Sequence, residues 1–146
     1  MSAKISHKNK VFLDTNIIIY QFDKSNPEKC LIAQKLIEET LLLQTSVIST
    51  QVVQEFLNVA LKKFSTSINS KDVDMIINDL LEPLCMHKPN INFYLKAISL
   101  HSKYSLSFYD ALIIQAAIDL GCDILYSEDL QDNQIFDGLR IVNPFS

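Results

Sequence analysis

Val11-Phe12-Leu13-Asp14-Thr15-Asn16 sets three large apolar residues directly before an aspartate and two small polar residues. A strand with one solvated face alternates apolar and polar side chains, so an unbroken apolar run marks a strand covered on both faces, as inside a parallel sheet. Further short runs of this kind follow at Ser46-Val47-Ile48-Ser49, Leu84-Cys85-Met86, Asp123-Ile124-Leu125-Tyr126 and Leu139-Arg140-Ile141-Val142, the last stopped by Pro144. Helical patterns separate them. Ser25-Asn26-Pro27-Glu28 reads as a helix start, with a cap residue, a proline in the first turn and an early acid, and Ile32, Leu36, Ile37 and Leu41 continue it. Thr50 is a candidate cap for a helix through Val52, Val53, Phe56, Leu57 and Ala60, closed by Lys62 and Lys63. Ser65 to Ser70 reads as a polar connector, and Val73, Ile76, Ile77, Leu80 and Leu81 mark a helix that Pro83 is expected to end. Pro89-Asn90 precedes a helix carrying Phe93, Tyr94, Ala97, Ile98 and His101. Ser107 starts a more apolar one, with Gly121 placed for the left-handed residue after its end. The alternation predicts a three-layer α/β domain whose mainly parallel sheet of about five strands is flanked by helices.

Composition bounds the function. The 146 residues are 48% hydrophobic and 21% charged, which fits one globular domain over residues 1–146 with a polar tail at 1–10. Two glycines, Gly121 and Gly138, supply neither a Walker loop nor a dinucleotide fingerprint. With 13 basic against 17 acidic residues the net charge is −4, so no global positive field draws nucleic acid or anionic lipid to the chain. Lys62, Lys63, Lys103 and Arg140 are the candidate local cations for a phosphate-bearing partner. Cys30, Cys85 and Cys122 lie far apart in apolar stretches without metal-ligand spacing and read as reduced core cysteines. They suit a reducing, cytoplasmic setting, and the apolar runs fall far short of the ~20 residues that span a bilayer.

In an open parallel sheet, ligands bind beyond the carboxyl ends of the strands. Asp14 and Asp129 follow predicted strands, Glu55 lies early in the helix after the second, and Asp110 sits in the first turn of the helix leading to the fourth. Carboxylates at one edge repel unless a cation neutralises them, and oxygen-only ligands point to Mg²⁺ or Mn²⁺. Each acid also has an ordinary reading. Asp14 can cap the turn after the first strand, Asp110 completes a Ser-x-x-acid capping box with Ser107, and Glu55 can sit at a solvated helix edge. In Ser127-Glu128-Asp129-Leu130-Gln131-Asp132 any of three acids is eligible, with Asp129 preferred and Asp132 its rival. Asn16 and Ser127 are second-tier candidates that would orient a carboxylate.

At these residues the chain resembles the PIN domain family, and especially the small VapC-type toxin ribonucleases. The resemblance runs from Val11 to Phe145 through four motifs in order: Val11 to Asn16, Ser49 to Phe56, Ser107 to Ile113 and Gly121 to Asp129. It implies Asp14 and Asp110 as principal metal ligands, with Glu55 and Asp129 completing an acidic site. It also implies metal-dependent hydrolysis of an RNA phosphodiester to 5′-phosphate and 3′-hydroxyl ends. A cognate antitoxin and a homodimer belong to the same expectation. The missing basic track favours a short structured target such as a transfer RNA loop. The alternatives are a receiver-like Mg²⁺-binding signalling domain, which lacks its adjacent acidic pair here because Thr15 and Asn16 follow Asp14, and a catalytically idle PIN-fold binding module. A serine or cysteine hydrolase finds no local partner in His7, His87 or His101.

Overall fold

The computed structural model describes residues 9–63 and 68–146. Most of the polar tail and Ser65 to Ser67 of the predicted connector lie outside those residues. The elements in chain order are β1 (Val11–Leu13), α1 (Thr15–Tyr20), α2 (Pro27–Leu42), β2 (Ser46–Ser49), α3 (Thr50–Lys63) and α4 (Ser70–Ile76). A π-helical stretch at Ile77–Leu81 then leads into α5 (Glu82–Leu84), β3 (Cys85–His87), α6 (Ile91–Tyr104), α7 (Phe108–Asp119), β4 (Ile124–Tyr126), β5 (Ile135–Phe136) and β6 (Leu139–Val142).

The strands among the described residues form one six-stranded sheet in the order β3-β2-β1-β4-β6-β5, parallel except for the β5–β6 pair. β1 is central. Its three residues are all buried although neighbours along a strand point to opposite faces, so helices cover both sides. Phe12, Leu13, Ile48 and Leu125 from the sheet meet Ile17, Ile18, Ile37, Phe56 and Ile114 from the helices in a core that water does not reach. α7, whose residues Ala111 to Ala117 are all buried, has α6 packed along it.

The fold matches the predicted class and departs from it locally. The sixth strand, β5, makes a hairpin with β6 through Asp137 and Gly138, both at positive φ (49° and 84°). Asp-Gly is the residue pair such a two-residue turn favours, because both positions must be left-handed. α1 departs from the sequence pattern as well, since Ile17-Ile18-Ile19 has strand-like propensity yet is helical. The helix at α3 begins one residue earlier than expected. Ser49 Oγ accepts from the Val52 N–H at 3.5 Å, while Thr50 is already helical and its hydroxyl donates to the His87 carbonyl at 3.0 Å.

Pro83 does not stop its helix. The chain widens into the π-helical stretch just before it, with the Glu82 N–H reaching back to the Ile77 carbonyl, and Pro83 then occupies the first turn of α5, where a missing N–H costs little. That shift starts β3 at Cys85 rather than Leu84.

The cysteines are unpaired, with Cys30 and Cys122 buried but Cys85 only half-buried on the edge strand β3. Burial pushes the Cys122 thiol up to about 12, so almost no thiolate forms at neutral pH. In native buffer, iodoacetamide is expected to modify Cys85 first and to leave Cys122 untouched until denaturant unfolds the chain, as peptide mass mapping would read. Early labelling of Cys122 would show that its surroundings open locally.

Candidate active site

Asp14 stands where β1 ends and α1 begins. Its N–H donates to the Tyr126 carbonyl at 3.0 Å, one rung beyond the β1–β4 ladder, and its extended backbone (φ −69°, ψ 162°) makes it the cap of α1. One carboxylate oxygen accepts from the Thr15 N–H and the other from the Ser127 hydroxyl, both at 2.7 Å. The side chain is buried, and desolvation pushes its pKa from 3.8 to about 6. The bonds from Ser127 and Thr15 act against the rise, and the charges of Glu55 and Asp129 add to it.

Asp14 shares a cleft of about 330 Å³ with the other three predicted acids. Glu55, one turn into α3, accepts from the Thr15 hydroxyl at 2.7 Å and from the Gln51 amide at 3.4 Å. Asp110 lies in the first turn of α7, where the Ser107 hydroxyl accepts its N–H at 3.1 Å. Only that half of the capping box forms among the described residues, so the Asp110 carboxylate faces the cleft without a hydrogen-bond donor. Asp129 follows β4 and accepts from the Asn16 amide at 3.1 Å. Four segments of chain thus deliver one carboxylate each to the carboxyl edge of the sheet. No lysine or arginine among the described residues lines the cleft.

The family model for the PIN domain matches residues 11–135. The chain belongs to the PIN domain family. Comparison with curated proteins gives no match. Among solved structures, a toxin-antitoxin complex from Klebsiella pneumoniae is similar at a TM-score of 0.64 and 19% identity, covering 92% of this chain and 97% of that one. FitAcB from Neisseria gonorrhoeae is similar at 0.59 and 16%, covering 92% and 98%. FitAB bound to the IR36 DNA fragment is similar at 0.58 and 16%, covering 93% and 96%. At these identities the likeness shows the fold. Membership in the PIN family replaces the receiver-like alternative.

Within this PIN fold the two second-tier residues are structural links. Ser127, fully buried, donates to Asp14 and accepts from the Asp129 N–H at 3.2 Å. Asn16 donates to Asp129 and accepts from the Glu128 N–H at 3.2 Å. The three acids after β4 separate cleanly. Only Asp129 enters the cleft. Glu128 turns to an ion pair with Lys29 and a 2.6 Å bond from the Tyr20 hydroxyl; burial pushes its carboxyl up, but these partners outweigh that and hold it below the usual range. Asp132 accepts from the Asn143 N–H at 2.8 Å and ties down the C-terminal segment.

Of the expected cations, Lys63 alone borders the site. It lines an adjoining cleft with Asn16 and Asp129 and pairs with Asp23 at 2.9 Å. Lys62 is exposed at the end of α3. Arg140 pairs across the sheet with Ile124, level with Val11 at the amino ends of the strands, and Lys103 opens onto a separate cavity with Lys96 and Asp137. Neither reaches the acids. Sequence reasoning passed over Thr15 and Gln51, although both stand in the quoted motifs beside Asp14 and Glu55. It also passed over Lys29, which no local pattern links to Glu128.

Proposed function

We propose that this PIN domain, one domain over residues 1–146, is a metal-dependent endoribonuclease, the toxin of a type II toxin-antitoxin pair working in the cytoplasm on RNA, with transfer RNA as the first target class. The observation that carries the reading is the cleft of four carboxylates, lined by no cation among the described residues.

Such a donor set fits a hard divalent ion, Mg²⁺ or Mn²⁺, and Asp14, its pKa raised chiefly by burial and further by the charges of Glu55 and Asp129, is a carboxylate that a bound cation would stabilise. No three carboxylate, imidazole or thiolate groups among the described residues stand close enough to enclose an ion as they are now oriented. Mg²⁺ does not require such a cage, since it takes one or two carboxylates and keeps most of its water. Asp14 and Asp110 would hold it, with Glu55 and Asp129 completing the acidic edge. When bound, the ion supplies the positive charge that draws the phosphodiester in and stabilises charge developing on its oxygens. The chain's own part is orientation. Ser127 and the Thr15 N–H fix the plane of the Asp14 carboxylate, Thr15 and Gln51 aim Glu55, and Asn16 aims Asp129.

An antitoxin partner is proposed from the solved toxin-antitoxin complex that shares this fold. It would present an amphipathic segment or an arginine to the acidic cleft. A homodimer is proposed from the exposed apolar residues on the helices, among them Leu31 and Leu42 on α2 and Ile91 and Leu95 on α6. Light scattering at micromolar concentration checks it, and a pure monomer would end that part of the reading. No helix among the described residues is long and apolar enough to cross a membrane.

The test is cleavage of a labelled RNA panel that includes transfer RNAs, with and without Mg²⁺ or Mn²⁺, by wild type and by Asp110→Asn. Cutting is expected only with metal and should fall at least about a hundredfold in the variant, given that even outer partners of metal ligands are worth ten- to hundredfold. A wild type that binds metal yet cuts no RNA would favour the idle binding module instead.

A further inference from the structure

A second cavity, of about 260 Å³, opens beside the acidic cleft, and the two share Gln51 and Tyr109 as a common wall. Its volume is below the range usual for drug-sized ligands and suits a ring-sized group. Among the described residues its lining carries no aspartate, glutamate, lysine or arginine, and its imidazole, His87, already stands 3.5 Å from the Asp119 carboxylate, so little in it is built for a phosphate or a metal ion. It offers aromatic surface instead. Tyr94, Phe108 and Tyr109 are 37%, 40% and 65% exposed around it, unusual for rings of this size on a helical surface. Phe93 and the ring of His87 meet edge to face at 4.4 Å behind them.

The polar groups are the amides of Gln51 and Gln54, the hydroxyls of Ser49, Thr50, Tyr94 and Tyr109, and the His87 imidazole. The Gln51 amide nitrogen donates to Glu55 and to the Tyr109 carbonyl (3.3 Å), which leaves its oxygen as an acceptor of set orientation. Gln54, one position before Glu55, has an amide that bonds to no described residue and so offers both a donor and an acceptor. A flat, uncharged ring with hydrogen-bonding edges is the chemistry that this combination recognises, as in single-stranded RNA binding, where unstacked bases lie on Phe, Tyr or His and are read by side-chain amides.

We propose that this cavity is a nucleobase subsite, holding the base next to the phosphate that lies in the acidic cleft. The inference rests on the ribonuclease reading above and deepens it. Tyr109 and Asp110 are adjacent in α7, and Gln51 and Glu55 are one turn apart in α3, so each helix presents a base-contacting residue and an acid side by side. An RNA would therefore have to offer an unpaired, unstacked base at the cleavage point, which selects loops over duplex.

The test is direct binding of the four nucleoside 5′-monophosphates to full-length protein in Mg²⁺ buffer, with ribose 5-phosphate as the control that lacks a base; neither probe has a phosphodiester to cut. At least one nucleotide is expected to bind about tenfold or more tightly than ribose 5-phosphate. Phe108→Ala and Tyr109→Ala should each remove most of that margin, and Gln54→Ala should alter the ranking among bases. Equal binding of nucleotide and sugar phosphate, or a margin untouched by all three variants, would overturn the subsite. RNA cleavage read alongside separates the two claims. Metal-dependent cutting without a base margin removes the subsite and keeps the nuclease, whereas a base margin without cutting keeps the pocket and removes the nuclease.

Discussion

In metal-free buffer at about pH 7.5, Asp14→Asn is expected to melt above wild type while losing at least about a hundredfold in metal-dependent cleavage. Asp14 titrates near 6 in the folded chain against 3.8 for the free group. The folded state therefore binds the proton more tightly, and stability falls as pH rises through that window. The shift of about two units corresponds to about 3 kcal/mol of lost stability once the carboxylate is fully charged. An amide carries no charge to bury, and its weaker bonding to the Thr15 N–H returns about 1 kcal/mol of the gain. The remaining ~2 kcal/mol raises the melting temperature by about 6 °C in a chain of this size. Below about pH 3 the wild-type carboxyl is protonated in both states and its charge-burial penalty should vanish. Adding Mg²⁺ should raise the melting point of wild type and leave the variant where it is. A variant that melts lower than wild type at pH 7.5 would show that Asp14 holds the fold together rather than being held against its solvation preference.

Ser127→Ala should cost ten- to hundredfold in cleavage at neutral pH and move the acid limb of the pH profile upward. The Ser127 hydroxyl provides the largest contribution opposing the rise of the Asp14 pKa, so its loss lifts that pKa further and leaves less carboxylate at any given pH. The Asp129 N–H loses its acceptor in the same step. Activity recovering as pH is raised would identify Ser127 as a positioning and charge-tuning residue. A uniform loss with an unmoved midpoint would reduce it to a structural hydroxyl, and circular dichroism separates both from unfolding. Removing a fully buried hydroxyl from two bonds is expected to cost about 1–3 kcal/mol of stability.

Much of the architecture was legible locally. The runs at Val11, Ser46 and Ile124 became central parallel strands because an apolar stretch of that length has to be covered on both faces. Asn26 before Pro27 and Ser107 before Asp110 became helix caps because side-chain acceptors satisfy the free N–H groups of a first turn. The hairpin at Asp137-Gly138 also has a local signal, the Asp-Gly pair itself. The helix α1 carried none, since its isoleucines favour strand. It forms because Asp14 caps it and because Ile17 and Ile18 are fully buried against neighbouring elements.

What the sequence by itself determined is an α/β chain with acids at the ends of its strands, since residue type and spacing carry that information within a few turns of chain. Which acids work together was decided by the tertiary structure. Asp14 meets Ser127, and Asn16 meets Asp129, each across 113 residues of sequence. Glu128 is drawn off by Lys29, and Asp132 by the Asn143 backbone, leaving Asp129 to the cleft. A turn holding three acids is locally symmetric in its chemistry. Only partners brought in from distant segments break that symmetry, because a hydrogen bond or ion pair depends on where the other group is in space and not on where it lies along the chain.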